Sequence, residues 1–194
     1  MLRPILITPP AVDLLVLSDV KAHLRVDSSD DDALITALIA AATAYLDGYA
    51  GIMGRCLINQ TWKLSQKYFG GMAVRLPFPD VSSVTVKYYD ASNSEQTVSS
   101  ANYQLLEDDG GSLVEFYANV VPPVPYVFRE DAVNITLVAG YGAAAANVPQ
   151  AIRQAMLLLV ADWYDNRQTM QAGRLAQLPF SVEALLAPFK RKAV

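Results

Sequence analysis

Val84-Thr85-Val86-Lys87-Tyr88-Tyr89 is the stretch on which the reading of the whole chain turns. Val84, Val86 and Tyr88 alternate with Thr85, Lys87 and Tyr89, the period of two that a pleated strand imposes. Working outward, Asp90-Ala-Ser-Asn-Ser94 carries turn chemistry, and Gln96-Thr97-Val98 reads as the returning strand. Upstream, Thr61, Trp62 and Leu64, then Val74 and Leu76, read as strands parted by a Gly70-Gly71 turn. Downstream, Tyr103 to Leu106, Ser112 to Tyr117 and Val133 to Val138 complete roughly six or seven short strands. Pro122, Pro123 and Pro125 mark a loop between the last two, because proline cannot donate to a strand ladder.

On both sides the period changes from two to the helical one. Ahead of the strands, the first ten residues end at Pro9-Pro10 and read as an extended arm. Ser18 is placed to cap a short helix over Asp19 to Arg25 with Val20 and Leu24 on one face. Asp30 to Asp32 open a second helix, where carboxylates suit the positive end of the dipole. Leu34, Leu38, Ala41 and Tyr45 recur there at helical spacing, with Ile35, Ile39 and Leu46 widening the stripe, and Gly48 and Gly51 end it. Beyond the strands, Pro149 suits a first helical position. Ile152, Met156, Leu159 and Trp163 follow as one stripe, with Ala155 and Leu158 beside it, and Gly173 breaks the pattern. Ser181 is read as the cap of a last short helix bearing Val182, Leu185 and Leu186, which Pro188 limits. The expected fold is α+β: a helical core of about four helices from both chain ends, with a small antiparallel β domain inserted. The expected division is 1–55 with 147–194 for the helical domain and 56–146 for the β domain.

Composition narrows the chemistry. The 194 residues are 53% apolar and 18% charged, enough to bury a sizeable core and unlike a disordered chain. The net charge is -4, so the broad basic footprint of a protein that grips a phosphate backbone is lacking. Cys56 is the only cysteine and His23 the only histidine, which excludes an intrachain disulfide, a cysteine zinc cage and a His-rich metal site. The N-terminal apolar run is too short and its prolines too early for a secretory signal, and Ala33 to Leu46 falls well below membrane-spanning length. The chain reads as soluble and made in a cytoplasm.

Each candidate site has a plainer explanation. The cluster Asp27, Asp30, Asp31 and Asp32 lacks the central glycine and twelfth-position glutamate of an EF-hand, and reads as helix capping. Ala139-Gly-Tyr-Gly-Ala143 follows a strand but has no Lys-Ser/Thr after it, so it reads as a strand-ending turn. His23 has no nucleophile motif near it in sequence, and Cys56 reads as a small buried apolar residue beside Arg55. Trp62, Tyr88 and Tyr89 are candidates for stacking on bases, but aromatic residues in strands with few interleaved cations more often fill a core or an interface. No catalytic residue, cofactor or metal is expected, and the chain does not read as an enzyme.

A series of short stretches, taken in order, resembles one family. They run from Ile7-Thr8-Pro9-Pro10 through Val20-Lys-Ala-His-Leu-Arg-Val-Asp27 and Asp30-Asp-Asp-Ala-Leu34 to Gln60-Thr-Trp62, Arg75-Leu-Pro77 with Pro79, and Val81-Ser-Ser-Val84. Ala139-Gly-Tyr-Gly142, Pro149 with Ala151-Ile152, Leu157-Leu-Leu-Val160, Trp163-Tyr164 with Asn166-Arg167, and Leu178-Pro-Phe-Ser-Val-Glu-Ala-Leu-Leu186 close the series. Together they resemble the tailed-phage head–tail connectors, or head-completion adaptors, of prophages and gene-transfer agents. Their order carries the resemblance, and the match is loosest from Asp90 to Val121.

The resemblance implies a structural virion protein at the head–tail junction, assembled in the bacterial host cytoplasm. Members sit as a ring, commonly of twelve copies, under the portal protein; they join it to stopper or tail-completion proteins and prolong the DNA channel. DNA is expected only to pass through, and no membrane is involved. The segment from Leu178 onward resembles the portal-contacting end, which makes Phe180, Leu185, Leu186, Phe189, Lys190, Arg191 and Lys192 the expected contacts. Two alternatives stand beside this reading: a stopper or tail-completion protein, and a host-recognition module using an exposed aromatic cleft at Trp62, Tyr88 and Tyr89.

Overall fold

A computed structural model describes residues 1–166 and 179–191, with Gly173 outside the described residues. The chain divides into two compact units, one of Met1–Ala11 and Asn59–Tyr141 with Arg191, the other of Val12–Ile58 and Gly142–Lys190. The first is the β unit. Its larger sheet holds β1 (Ile5–Thr8), β2 (Gln60–Gln66), β4 (Val81–Tyr89), β5 (Glu95–Thr97) and β8 (Val133–Ala139), in the spatial order β1-β2-β8-β4-β5. Its smaller sheet holds β3 (Ala73–Arg75), β6 (Tyr103–Asp108) and β7 (Gly111–Phe116), in the order β3-β7-β6. Every pairing is antiparallel. The α+β class expected from the sequence is the class observed.

Strand burial follows position in the sheet. The central β8 buries Val133, Asn134, Ile135, Leu137 and Ala139, whereas the edge strand β1 leaves all four residues exposed. Buried Asn134 is satisfied on both sides: the Ser65 hydroxyl donates to its amide oxygen at 2.6 Å and its own NH2 donates to the Asp131 carbonyl. Aromatic rings fill the space beside the strands. Trp62 lies 5.0 Å from Phe78, and Phe116 takes Phe69 edge-on at 5.3 Å and Tyr103 at 6.2 Å. The two sheets are joined where the Val81 N–H donates to the Ser112 hydroxyl and the Tyr103 hydroxyl reaches the Val84 carbonyl.

β1 is the strand missed in the sequence. The segment read as an arm pairs Ile5 with Lys63, Leu6 with Trp62 and, past an irregularity, Thr8 with Thr61. Pro4, Pro9 and Pro10 bracket it, which an edge strand tolerates because one of its sides needs no donors.

The helical unit comprises α1 (Leu17–Leu24), α2 (Asp32–Leu46), α3 (Gln150–Asp165) and α4 (Phe180–Leu186). α3 packs on each of the other three, and α1 also meets α2. Its core is Val20, Ile35, Ile39, Ala42 and Leu46 with Ile152, Ala155, Met156, Leu159 and Val160, joined by Val182 and Leu186. On α2 the buried set is rotated by about one residue from the expected stripe. Ile35, Ile39, Ala42 and Leu46 point inward, while Ala41 and Tyr45 are exposed. A helix apolar on almost every face offers several stripes of equal period, and packing selects among them.

Helix starts also differ from expectation. α1 begins at Leu17 with Val16 in the cap position, and exposed Ser18 makes no cap. α4 begins at Phe180 behind Pro179, which leaves Ser181 inside its first turn. Pro149 likewise stands one position ahead of α3, in extended backbone with ψ 135°.

Candidate functional site

Each candidate for chemistry has its own surroundings in the structure. His23 is exposed on α1. Cys56 is 1% exposed and packed inside the helical unit, the place for an inert thiol. The acidic cluster is structural where contacts define it: Asp32 accepts from Lys21 at 2.5 Å and Asp31 from the Tyr164 hydroxyl at 2.5 Å. Among the described residues no group of three or more His, Cys, Asp or Glu is placed to hold a metal, and no helix is long and apolar enough to cross a membrane. Gly140 and Gly142 have positive φ at the end of β8, as a turn requires; a Cβ on Gly142 would lie 2.5 Å from the Asn147 side chain.

The aromatic cleft does not form. Trp62 is 8% exposed and donates its indole N–H to Gln60 at 3.1 Å. The Tyr89 ring lies beneath the Arg129 guanidinium at 3.6 Å, a cation–π contact, and Tyr88 stands beside Phe69. These rings stabilise the β unit and offer no shared face on which a base or a sugar would stack.

The carboxy-terminal candidates separate by environment. Phe180 opens α4 and is 85% exposed, an unusual setting for a phenyl ring. Leu186 on the same helix is fully buried with Val182, so it stabilises the helical unit from within. Leu185, Phe189 and Lys190 are half-buried, and the Lys190 N–H donates back to the Leu186 carbonyl at 3.1 Å. Leu178 and Lys192 lie outside the described residues.

Arg191 belongs to the β unit, and its guanidinium is already occupied there. It donates to the carbonyl oxygens of Leu76, Pro77 and Gly110, the last at 3.1 and 3.3 Å from two nitrogens. Burial holds its pKa below the usual arginine value, and the nearby positive Arg75 acts in the same direction. Nothing in the sequence signalled this contact, since the groups it joins stand far apart along the chain.

Two further surfaces were not singled out in the sequence. The exposed strand β1 carries Ile5, Leu6 and Ile7 on the edge of the larger sheet. Residues 117–132, between β7 and β8, carry Val121, Val124 and Phe128, each at least 80% exposed. The composition of that loop, rich in valine and proline and uncharged over eleven residues, was the available signal.

Comparison with known proteins gives these surfaces a context. The family model described as head completion protein matches residues 13–177. A chain in the neck of an empty GTA particle, computed with C6 symmetry, is 26% identical with a TM-score of 0.79, covering 100% of this chain and 97% of that one. A chain in the virion of a native gene transfer agent (GTA) particle is 24% identical with a TM-score of 0.77, at the same coverage. A chain in the neck of a native GTA particle, computed with C12 symmetry, is 24% identical with a TM-score of 0.72 and has the same fold. A search of curated proteins finds no match.

Proposed function

The chain belongs to the head completion protein family, and from that premise we propose that it is a head–tail adaptor, one member of a ring seated between the portal and the stopper or tail-completion proteins. At the coarser level it is a structural, non-enzymatic protein of the head–tail neck in a phage-like particle. The single observation that carries the adaptor reading is the end-to-end likeness to a neck chain, 26% identical over the whole of this sequence. That neck was computed with C6 symmetry and another similar neck with C12, which supports a cyclic arrangement of copies here, and twelve is the number we adopt. Assembly takes place in the bacterial host cytoplasm.

The physical properties suit the role. A ring that extends the DNA channel must let phosphates pass, and a net charge of -4 disfavours retention. Among the described residues some of the cations are paired locally, as in Lys21–Asp32, Lys67–Glu130, Arg75–Asp108, Lys87–Glu95 and Arg129–Asp131.

Portal contact is assigned to the carboxy-terminal segment. Phe180 is its anchor, and half-buried Leu185 and Phe189 add apolar contact. Leu186 holds α4 from the interior, and Lys190 and Lys192 supply positive charge toward acidic portal groups, whereas the Arg191 guanidinium is taken up by carbonyls of the β unit. The exposure of Phe180 supports this assignment, because a ring left 85% in water gains most from being covered.

The test mixes the protein with the portal protein of its own gene cluster and follows the mixture by size-exclusion chromatography and electron microscopy. A co-eluting complex with an added ring at one end of the portal is the expected result. An intact portal ring that binds nothing would overturn the adaptor reading in favour of a stopper or tail-completion protein.

A further inference from the structure

The chain leaves the helical unit at Lys190 and rejoins the β unit at Arg191, whose guanidinium enters a seat of three backbone carbonyls. The carbonyls of Leu76 and Pro77 follow β3, and that of Gly110 lies in the turn between β6 and β7. The strand order β3-β7-β6 brings these two loops to one end of the smaller sheet. There the Leu76 N–H donates to the Ser112 carbonyl at 2.9 Å, which fixes the first loop beside the second. Glycine keeps the seat open. Gly111 has φ 106°, where any side chain is strained, and a Cβ on it would already touch Arg191 Nε at 3.6 Å.

The seat offers shape and no charge. Its acceptors are neutral carbonyls, and the nearest carboxylate, Asp108, is taken by Arg75 and by the Gly110 N–H. Among the described residues no carboxylate pairs with Arg191; each of its hydrogen bonds goes to a backbone oxygen. Three nitrogens share the work. Nη1 donates to Pro77, Nη2 to Leu76 and Gly110, and Nε to Gly110. A planar guanidinium presents these donors as a pre-organised fork, whereas lysine has one nitrogen on a flexible stem for the same task.

We infer that Arg191 is a positioning residue, whose fork and not its charge fastens the chain end to the β unit and so holds the segment that meets the portal. The inference rests on the adaptor reading and its portal assignment. Lys190 is held from both sides, by its own N–H on the Leu186 carbonyl at 3.1 Å and by Arg191 in the seat. A segment ordered before it binds gives up less freedom on binding. A guanidinium whose nitrogens all serve carbonyls also has little left for a partner's carboxylate, so its contribution to portal attachment is one of place.

The test compares Arg191→Lys, which keeps the charge and loses the fork, with Arg191→Ala, which loses both. Affinity for the intact portal ring is measured at low and high salt, and amide hydrogen exchange over residues 187–190 is followed in the free chain. Both substitutions lie beyond α4 and leave Val182 and Leu186 in the core, so circular dichroism should show wild-type folding. Faster exchange is expected in both variants, with portal affinity about tenfold lower in each and the salt dependence of the wild type retained. Wild-type affinity in Arg191→Lys would overturn the inference, because charge alone would then suffice. Unchanged exchange in Arg191→Ala would overturn it as well, since the fork would then hold nothing. A weaker salt dependence in Arg191→Ala would do the same, being the sign of a direct ion pair with the portal. These three outcomes leave the adaptor reading standing. A wild-type chain that does not bind the portal would remove that reading and this inference together.

Discussion

Tyr164 on α3 donates its phenolic hydrogen to the Asp31 carboxylate at 2.5 Å, fixing the end of that long helix to the residue that precedes α2. A hydrogen bond to an ionised acceptor is among the stronger kind, and here both groups are only part-exposed. Tyr164→Phe keeps the ring and removes only the donor. The expected cost is about 1–2 kcal/mol, or a fall of roughly 3–6 °C in the unfolding midpoint for a chain of this size. Differential scanning calorimetry checks it; an unchanged midpoint would show that water replaces the phenol without loss.

Acid should weaken the hairpin between β6 and β7. Asp108 accepts two hydrogen bonds from Arg75 and one from the Gly110 N–H, and these hold its pKa down from 3.8 to about 2. The folded value lies below the unfolded one, so the stabilisation is present above pH 3.8 and is lost as pH falls toward about 2. Asp108→Asn should therefore unfold at a lower temperature than the wild type at pH 7, with the gap closing between pH 4 and pH 2. Added salt should narrow the gap at pH 7, because both partners face solvent.

Ile135 stands in the middle of β8, the strand flanked by β2 and β4, and is fully buried. Ile135→Ala leaves a cavity that antiparallel neighbours on both sides prevent from collapsing. The expected loss is about 3–4 kcal/mol, read from urea unfolding with the slope unchanged.

Phe180 and Leu186 separate the proposed contact from the core within one short helix. Phe180→Ala should change stability by less than about 0.5 kcal/mol while weakening portal attachment several-fold. Leu186→Ala should do the reverse in kind, costing about 2–4 kcal/mol of folding stability. If Phe180→Ala binds the portal as the wild type does, the ring at the head of α4 is not the anchor.

How much of this was legible depended on the range of the interaction. Val84, Val86 and Tyr88 announced β4 because alternation is local, and Asp90 to Ser94 announced the turn because Asp90 accepts from the Ser92 and Ser94 N–H groups close at hand. Asn93 takes a positive φ there, as turn chemistry allows. The first strand was read as an arm because its prolines are prominent and its pairing partner, β2, is far away in sequence. Which stripe of α2 turns inward was set by α3, not by α2. The carboxy-terminal residues were named as one contact surface; Val182 and Leu186, one helical turn apart, already marked a face able to turn inward, whereas nothing local announced the three carbonyls around Arg191. The exposed apolar face of residues 117–132 was read only as a proline loop, since exposure is a property of everything else that fails to cover it.

The strand order β1-β2-β8-β4-β5 places the last of these strands to be synthesised between two made much earlier. While the ribosome is still adding residues up to Ala139, β2 and β4 hold open edges that only β8 fills. Pairings of such long sequence separation form slowly. Waiting strand edges are also where nascent chains associate wrongly. The larger sheet thus matures only once β8, its last strand in sequence, has been made. A translation product cut short before Val133 lacks the central strand, cannot complete the sheet, and so offers no finished β unit to a growing particle.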